Sequence, residues 1–308
     1  MIDILLATYN SSQFLDETIK SLLDQHHTEW RLLIRDGGSE DKTQEIIKKY
    51  TQQFPGKIVS FHSAGRSGTC ENFSVLLSKS SAPYVMFCDH DDIWLPDKIS
   101  KSLSCMKEQQ QKYGDNTPLL VFTDKRVVDQ TLAVIDNSYF HYQNLNPANI
   151  SLNRLLVQNV PSGCTMLINR ALADLCRNIP KEAFMHDHWV SLTAAAFGHL
   201  VCLDEVTILY RQNRQNVFGA SKYAWRYFIH RYRQGGYAAI LERFYQNVRQ
   251  ARGFYDCYKD LLDQEKKEVV REFASLKELS WINRRKVLLR HRIFKTGLRR
   301  NMGMFLWI

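Results

Sequence analysis

Four short apolar runs punctuate the first 88 residues: Ile2 to Thr8 (IDILLAT), Arg31 to Arg35 (RLLIR), Lys57 to Phe61 (KIVSF) and Tyr84 to Cys88 (YVMFC). Amphipathic stretches separate them. SSQFLDETIKSLLDQ carries Phe14, Ile19, Leu22 and Leu23 near helical spacing, SEDKTQEIIKKY has Ser39 placed as an N-cap with acidic residues in its first turn, and SGTCENFSVLLSKS follows. Strand and helix thus alternate in units of about 30 residues, the length of a crossover unit, and predict a parallel sheet with helices packed on it.

The 308 residues, 44% hydrophobic, suffice for a real core and suggest roughly two domains. Further along, LLVFTDKRVVD and GCTMLINR read as strands, HDHWVSLTAAAFG as a helix closed by Gly198 at its C-cap, and LVCLDEVTILYR as extended chain. Beyond Lys222 the pattern becomes long helices rich in Arg, Lys and aromatic residues. Charge divides at the same place. The net charge is +9, yet residues 222–308 hold 20 basic and 8 acidic residues and the first 221 hold 21 and 24. A slightly acidic catalytic body, residues 1–220, and a basic helical region, residues 221–308, are expected. No apolar run reaches the roughly 18 residues of a membrane span, and MIDILLATYN lacks the basic and long apolar regions of a signal peptide, so the chain is expected in the cytoplasm. Seven scattered cysteines without a C-x-x-C pair read as buried, reduced thiols.

Chemistry concentrates where strands end. Asp89, His90, Asp91 and Asp92 follow YVMFC directly, and three carboxylates in four residues repel one another unless solvated or neutralised by a cation. The carboxyl end of a parallel strand is where open α/β sheets bind ligands, and a hard divalent ion such as Mg²⁺ or Mn²⁺ suits such oxygens. An acidic turn capping the next helix is the plainer alternative. Asp36, ahead of Gly37 and Gly38, ends the second run, and Thr8 ends the first, so Thr8, Asp36 and Asp89 share one sheet edge.

ATYNSSQFLDETIKSLLDQ, IRDGGSEDKT and FCDHDDIWLPDKI together resemble the inverting family 2 glycosyltransferases of GT-A fold, nearest the rhamnosyltransferase-like subgroup. The likeness continues through PSGCTMLINR, HDHWVSLTAAAFG and ILYRQNRQNVFGA. It implies a mostly parallel twisted sheet flanked by helices, with the C-terminal basic helices as an extension. It implies transfer of a sugar, dTDP-rhamnose or a UDP-sugar among the candidates, to a hydroxyl of a cell-surface polysaccharide or lipid-linked glycan. Carried over residue by residue, Thr8, Tyr9 and Asn10 would line the nucleotide pocket and Asp36 would accept from the base imide. Asp89 would lie near the ribose and Asp91 on Mn²⁺ or Mg²⁺. Gly163, Cys164 and Thr165 would border the sugar, Arg211 would meet the diphosphate, and Asp187 would be the catalytic base. Residue type alone would make Asp187 a helix N-terminal carboxylate. Two positions depart from the family pattern: Arg35 replaces the first Asp of D-D-G-S, and Asn213 stands where relatives often carry His.

From Lys277 onward nine basic residues and one acidic residue, Glu278, alternate with Trp281, Ile282, Val287, Leu288, Leu289, Ile293, Phe294 and Leu298. Such a segment either lies on an anionic membrane, placing the enzyme on the inner face of the cytoplasmic membrane, or packs on the catalytic body with a solvated basic face. Nucleic acid is not an expected partner, since no zinc, helix-turn-helix or RNA-binding signature accompanies the charge. A sugar nucleotidyltransferase would open with a Gly-rich basic loop, which ATYNSSQF is not. The non-enzymatic alternative is a glycan- or nucleotide-sugar-binding scaffold at the membrane.

Overall fold

A computed structural model describes residues 1–63, 65–213 and 225–308. The expected boundary at residue 220 and the stretch RQNVFGA lie outside the described residues. Among the described residues nine strands form one sheet: β1 (Ile2–Thr8), β2 (Trp30–Asp36), β3 (Ile58–Phe61), β4 (Tyr84–Cys88), β5 (Ile93–Trp94), β6 (Leu119–Val128), β7 (Val134–Asp136), β8 (Leu167–Asn169) and β9 (His199–Arg211). Their order is β3-β2-β1-β4-β8-β6-β9-β5, with β7 paired to β6.

The first half is the parallel sheet that the alternating pattern predicts, β1 pairing with β2 and β4, and β2 with β3. The second half is mixed. β8 runs antiparallel between β4 and β6, β6 and β9 are parallel, and β5 folds back antiparallel on β9. Both faces are covered, which is why β1 is buried at every position and is apolar from Ile4 to Ala7, with Asp3 buried among partners of its own. One face packs Ile4, Leu6 and Ile34 against helices Leu15–Leu23, Thr43–Gln53 and Lys98–Tyr113. The other packs Leu5, Leu33 and Phe87 against helices Thr69–Lys79 and His186–Phe197.

The C-terminal helices share that second core. Phe244, Ala251, Phe254, Val270, Phe273, Leu276, Leu288 and Ile293 are buried in the same cluster as Trp189, whose ring meets Phe254 edge-on at 5.3 Å. Val287, Leu288 and Ile293 are therefore unavailable to a membrane. Trp281 (58% exposed), Ile282, Leu289, Leu298 (76%), Met302 and Leu306 remain outside the core. No helix among the described residues is long and apolar enough to cross a membrane.

Three local expectations change. The second helix begins at Thr43 after Lys42, without a side-chain cap, because Ser39 is drawn into the loop it precedes. Gly198 does follow its helix, but in extended backbone (φ −162°) rather than a left-handed cap. Its glycine is required by close approach: a Cβ there would lie 1.8 Å from the Pro118 carbonyl oxygen, which accepts from His199 N at 3.0 Å. Gly198→Ala is expected to lower the urea midpoint by the equivalent of about 3 kcal/mol, because neither backbone can yield without breaking the β6–β9 junction; an unchanged midpoint would contradict this packing. Among the cysteines none is disulfide-bonded, but Cys257 is exposed and Cys70 and Cys202 are half-buried, so burial holds for four of the seven.

Candidate active site

Parallel pairing sets Thr8 beside Asp36 at the carboxyl ends of β1 and β2. The Thr8 hydroxyl donates to Asp36 Oδ1 at 2.9 Å, and the Ser39 hydroxyl to the same oxygen at 2.5 Å. The backbone N–H groups of Gly38 and Ser39 donate to Oδ2 at 3.2 and 2.8 Å. Asp36 thus organises the turn. Asn10, in left-handed backbone (φ 47°), is tied to the same loop, donating from its N to Ser39 Oγ at 2.8 Å and accepting from Glu40 N at 2.9 Å. Tyr9 is left with an open ring, 36% exposed, with the Arg66 guanidinium 5.2 Å from its centre. The site therefore offers an aromatic face beside a rigid polar turn. Arg35, on the next register pair, is buried and, among the described residues, donates only a long bond to Ser63 Oγ at 3.4 Å.

The acidic cluster follows β4. Asp91 is buried, 6% exposed, and Asn213 Nδ2 donates to its Oδ2 at 2.6 Å. Arg211 holds this segment from behind, donating from Nε to the Asp91 carbonyl (3.1 Å), from Nη1 to Gln130 O (2.7 Å) and from Nη2 to Glu17 Oε2 (2.5 Å). The guanidinium expected to meet the diphosphate is thus buried and taken up by protein partners. Asp92 is wholly buried, and its Oδ2 has no hydrogen-bond partner among the described residues.

The 3-10 turn Gly163–Thr165 brings the Cys164 thiol to this cluster, so that ligand atoms of Asp89, Asp92 and Cys164 lie within 4.8 Å of one another. That trio does not suit a metal. Burial pushes the Cys164 thiol well above its ordinary range, so it stays protonated, and the Lys125 ammonium lies 3.8 Å from its sulfur. Burial opposes the charge of Lys125, but Cys164 first, then Tyr210 and Tyr139, and last Asp92 outweigh burial and hold its pKa well up. Asp89 and Asp91, with oxygen donors and Asn213 beside them, are the better fit to a hard divalent ion. Burial first, then the neighbouring Asp91 carboxylate, raises the pKa of both Asp89 and Asp92, which is the electrostatic condition a cation relieves.

Asp187 stands in the first turn of the helix His186–Phe197. Its Oδ1 accepts from His188 N at 2.6 Å and its Oδ2 from Gly163 N at 3.3 Å, so the turn bearing Cys164 and the base helix are locked together. Burial pushes its carboxyl up to about 6, the Asp89 charge adding to that while the His188 and Gly163 N–H groups and Lys125 oppose it. The flanking histidines are structural. His188 bonds the Leu155 carbonyl through Nε2 at 2.6 Å, and burial lowers its pKa to about 4. His186 stacks on Phe73, centres 3.9 Å apart, and burial lowers it to about 3. A Cβ at Gly163 would lie 2.6 Å from His186 Nε2, so only glycine lets this turn reach Asp187.

The sequence model of glycosyl transferase family 2 matches residues 3–172, more than half the chain. The chain belongs to that family. TuaG of Bacillus subtilis, assigned to teichuronic acid biosynthesis as a glycosyltransferase, is 25% identical over 236 residues, covering 75% of this chain and 87% of TuaG. The dTDP-rhamnosyl transferase RfbG of Shigella flexneri is 24% identical over 230 residues, 70% of this chain and 74% of its own. Among solved structures, residues 1–349 of Staphylococcus aureus TarS in complex with UDP align over 92% of this chain and 73% of theirs, with a TM-score of 0.59 and 16% identity. The Pyrobaculum calidifontis mannosyltransferase PcManGT, solved with GDP-Man and Mn²⁺, aligns over 95% and 86%, with a TM-score of 0.55 and 14% identity. The fold of this family 2 transferase is accordingly GT-A: a mixed, curled sheet between helices, extended by C-terminal helices.

Thr8, Asp36 and Asp89, expected at one sheet edge from the strand pattern, end β1, end β2 and follow β4 there; of the residues named from the resemblance, Gly163 bonds Asp187 and Cys164 lies beside Asp89. Lys125, inside the buried strand segment LLVFTDK, was not singled out from the sequence, and Asp92 was counted in the acidic cluster without a role of its own.

Proposed function

We propose that the protein is an inverting glycosyltransferase that moves a sugar from a nucleoside-diphosphate donor to a hydroxyl of a cell-surface polysaccharide or lipid-linked glycan. The observation that carries this reading is Asp187, a carboxylate with its pKa raised to about 6, fixed by two backbone N–H groups beside the strand-end acidic cluster. A hydroxyl attacks an anomeric carbon only as its proton leaves, and a base titrating near working pH contributes typically 10²–10⁴-fold. Asp187 would accept that proton. Tyr9 offers a face for the base, with Thr8, Asn10 and Asp36 shaping the wall beside it. Gly163, Cys164 and Thr165 form the floor between donor and Asp187. A divalent ion, Mn²⁺ or Mg²⁺, held by Asp91 and Asp89 would supply the positive charge that a departing diphosphate needs.

The similar proteins named above carry UDP, GDP-Man or a dTDP-rhamnosyl activity, so a family of donors is the proper probe. UDP-, dTDP- and GDP-sugars, each with Mn²⁺, should be tested for thermal stabilisation: a donor at 100 times its Kd stabilises by about 2.7 kcal/mol. One nucleotide class is expected to raise the Tm by several degrees. No shift with any donor would contradict the reading, and binding without nucleoside diphosphate release would favour the scaffold alternative.

The acceptor surface is proposed to be a membrane. Trp281, Ile282, Leu289 and Leu298 are exposed among Arg285, Lys286, Arg290, Arg299 and Arg300, the composition of an interfacial face drawn to anionic lipid. The intact chain should bind vesicles containing phosphatidylglycerol, lose that binding in high salt, and lose it with Trp281→Glu plus Leu298→Glu. Equal binding by the double variant would remove this surface from the account.

A further inference from the structure

Two buried lysines at the site take no part in the reading above: Lys98, wholly buried with its ammonium 4.7 Å from the centre of the Trp94 ring and with Cys164 and Asp92 among the groups acting on it, and Lys125. Lys125 extends from β6 and is 4% exposed. Its ammonium lies 3.5 Å from the centre of the Tyr210 ring and 4.2 Å from that of Tyr139, and it donates to Cys164 Sγ at 3.8 Å. That thiol in turn lies against the carboxylates of Asp89 and Asp92, and Asp92 is wholly buried with one oxygen lacking a partner among the described residues. A charge this deep is costly unless opposite charge and polarisable faces surround it. The two tyrosine rings hold the ammonium but bring no net charge. The balancing negative charge is that of the acidic cluster.

We infer that Lys125 is a resident counter-cation of the acidic cluster: it neutralises the buried carboxylate end at Asp92, and confines the need for a divalent ion to Asp91 and Asp89. This rests on the proposed function in taking Asp91 and Asp89 as the ion's ligands. Lys125 is a positioning residue, since it is buried and meets the carboxylates through the Cys164 thiol. Coulomb energy at short range through a protein interior exceeds that of surface pairs severalfold, so one fixed charge behind the cluster is enough to alter how strongly the front attracts an ion.

The test is a double-substitution cycle on the full chain in EDTA: wild type, Lys125→Met, Asp92→Asn and both together, each melted thermally. Lys125→Met leaves an unbranched side chain, one heavy atom shorter, between the tyrosine rings, and removes the ammonium with its charge and its hydrogen bond to Cys164. It is expected to lower the Tm by several degrees, and adding Asp92→Asn is expected to restore more than half of that loss. Additive effects would overturn the inference, because a lysine that merely fills its box has no reason to couple to Asp92. If Lys125→Met fails to fold, recovery of folded protein in the double variant supports the coupling and continued failure to fold overturns it. The second readout is Mn²⁺ affinity by the EPR signal of the free ion, without donor. Lys125→Met should bind Mn²⁺ roughly tenfold more tightly than wild type, and equal affinity would overturn the inference. Wild type that takes up no Mn²⁺ while the stability coupling persists would remove the metal from the proposed function and leave the role of Lys125 intact.

Discussion

Asp187→Asn should reduce sugar transfer by roughly 10²–10⁴-fold and, at the same time, make the protein more stable at neutral pH. The two effects share one cause. The folded environment raises the Asp187 carboxyl from its usual 3.8 to about 6, chiefly by burial. A raised carboxyl pKa means that the protonated form is the one the fold prefers. Its stabilising contribution is complete below pH 3.8 and is lost as pH rises through about 6. Two units correspond to about 3 kcal/mol, an upper figure for a group that is only partly buried. Asparagine cannot ionise, so the variant should gain on wild type from about pH 4 upward and hold that gain at pH 7.5. It also preserves the oxygen that accepts from His188 N. For wild type, kcat/KM should rise with pH through about 6 as the base deprotonates, and this acidic limb should vanish from the residual activity of Asp187→Asn. Loss of activity with no gain in Tm would mean that the site does not disfavour the carboxylate as its geometry implies.

Asp91→Asn is the second large effect. The amide oxygen can still accept from Asn213, now 2.6 Å from Oδ2, and Arg211 still grips the backbone carbonyl of residue 91, so the loop should keep its shape. Only a negative charge leaves. Turnover is expected to fall at least 10²-fold if a cation at this carboxylate supplies several kcal/mol to the departing diphosphate. The Tm shift produced by Mn²⁺ should disappear, while donor binding without metal changes little. Turnover within twofold of wild type would show that the diphosphate is stabilised elsewhere, with Arg66 beside Tyr9 the first residue to examine.

Much of this site was legible because parallel strands in register bring their carboxyl ends to one edge, so Thr8, Asp36 and Asp89 could be aligned from three apolar runs alone. The second half of the sheet was not legible to the same degree. β7 and β8 have three residues each and β5 has two, too few for a periodicity of their own, and their antiparallel pairing is set by tertiary contact. Arg211 ends a strand where a diphosphate contact is reasonable, but Glu17 and Gln130, far away in sequence, capture its guanidinium. Lys125 was invisible for a related reason. A lysine in a strand ordinarily signals solvent, and its box is assembled from Tyr139, Cys164 and Tyr210, which a short helix, a 3-10 turn and β9 supply from distant parts of the sequence. In the C-terminal region the basic and apolar pattern admitted two arrangements. The fold uses one set of apolar residues, Leu288 and Ile293 among them, to join the core and leaves another, Trp281 and Leu298 among them, outside it.

The central claim is a single displacement in which Asp187 takes the proton of the acceptor hydroxyl. Proton NMR of the running reaction, with the donor identified by thermal shift and an acceptor glycan, reads it directly through the anomeric signals. The account predicts a product of opposite anomeric configuration to the donor, formed one-for-one with nucleoside diphosphate, and no product with Asp187→Asn although donor still binds. Retained configuration, or undiminished transfer by Asp187→Asn, would contradict it.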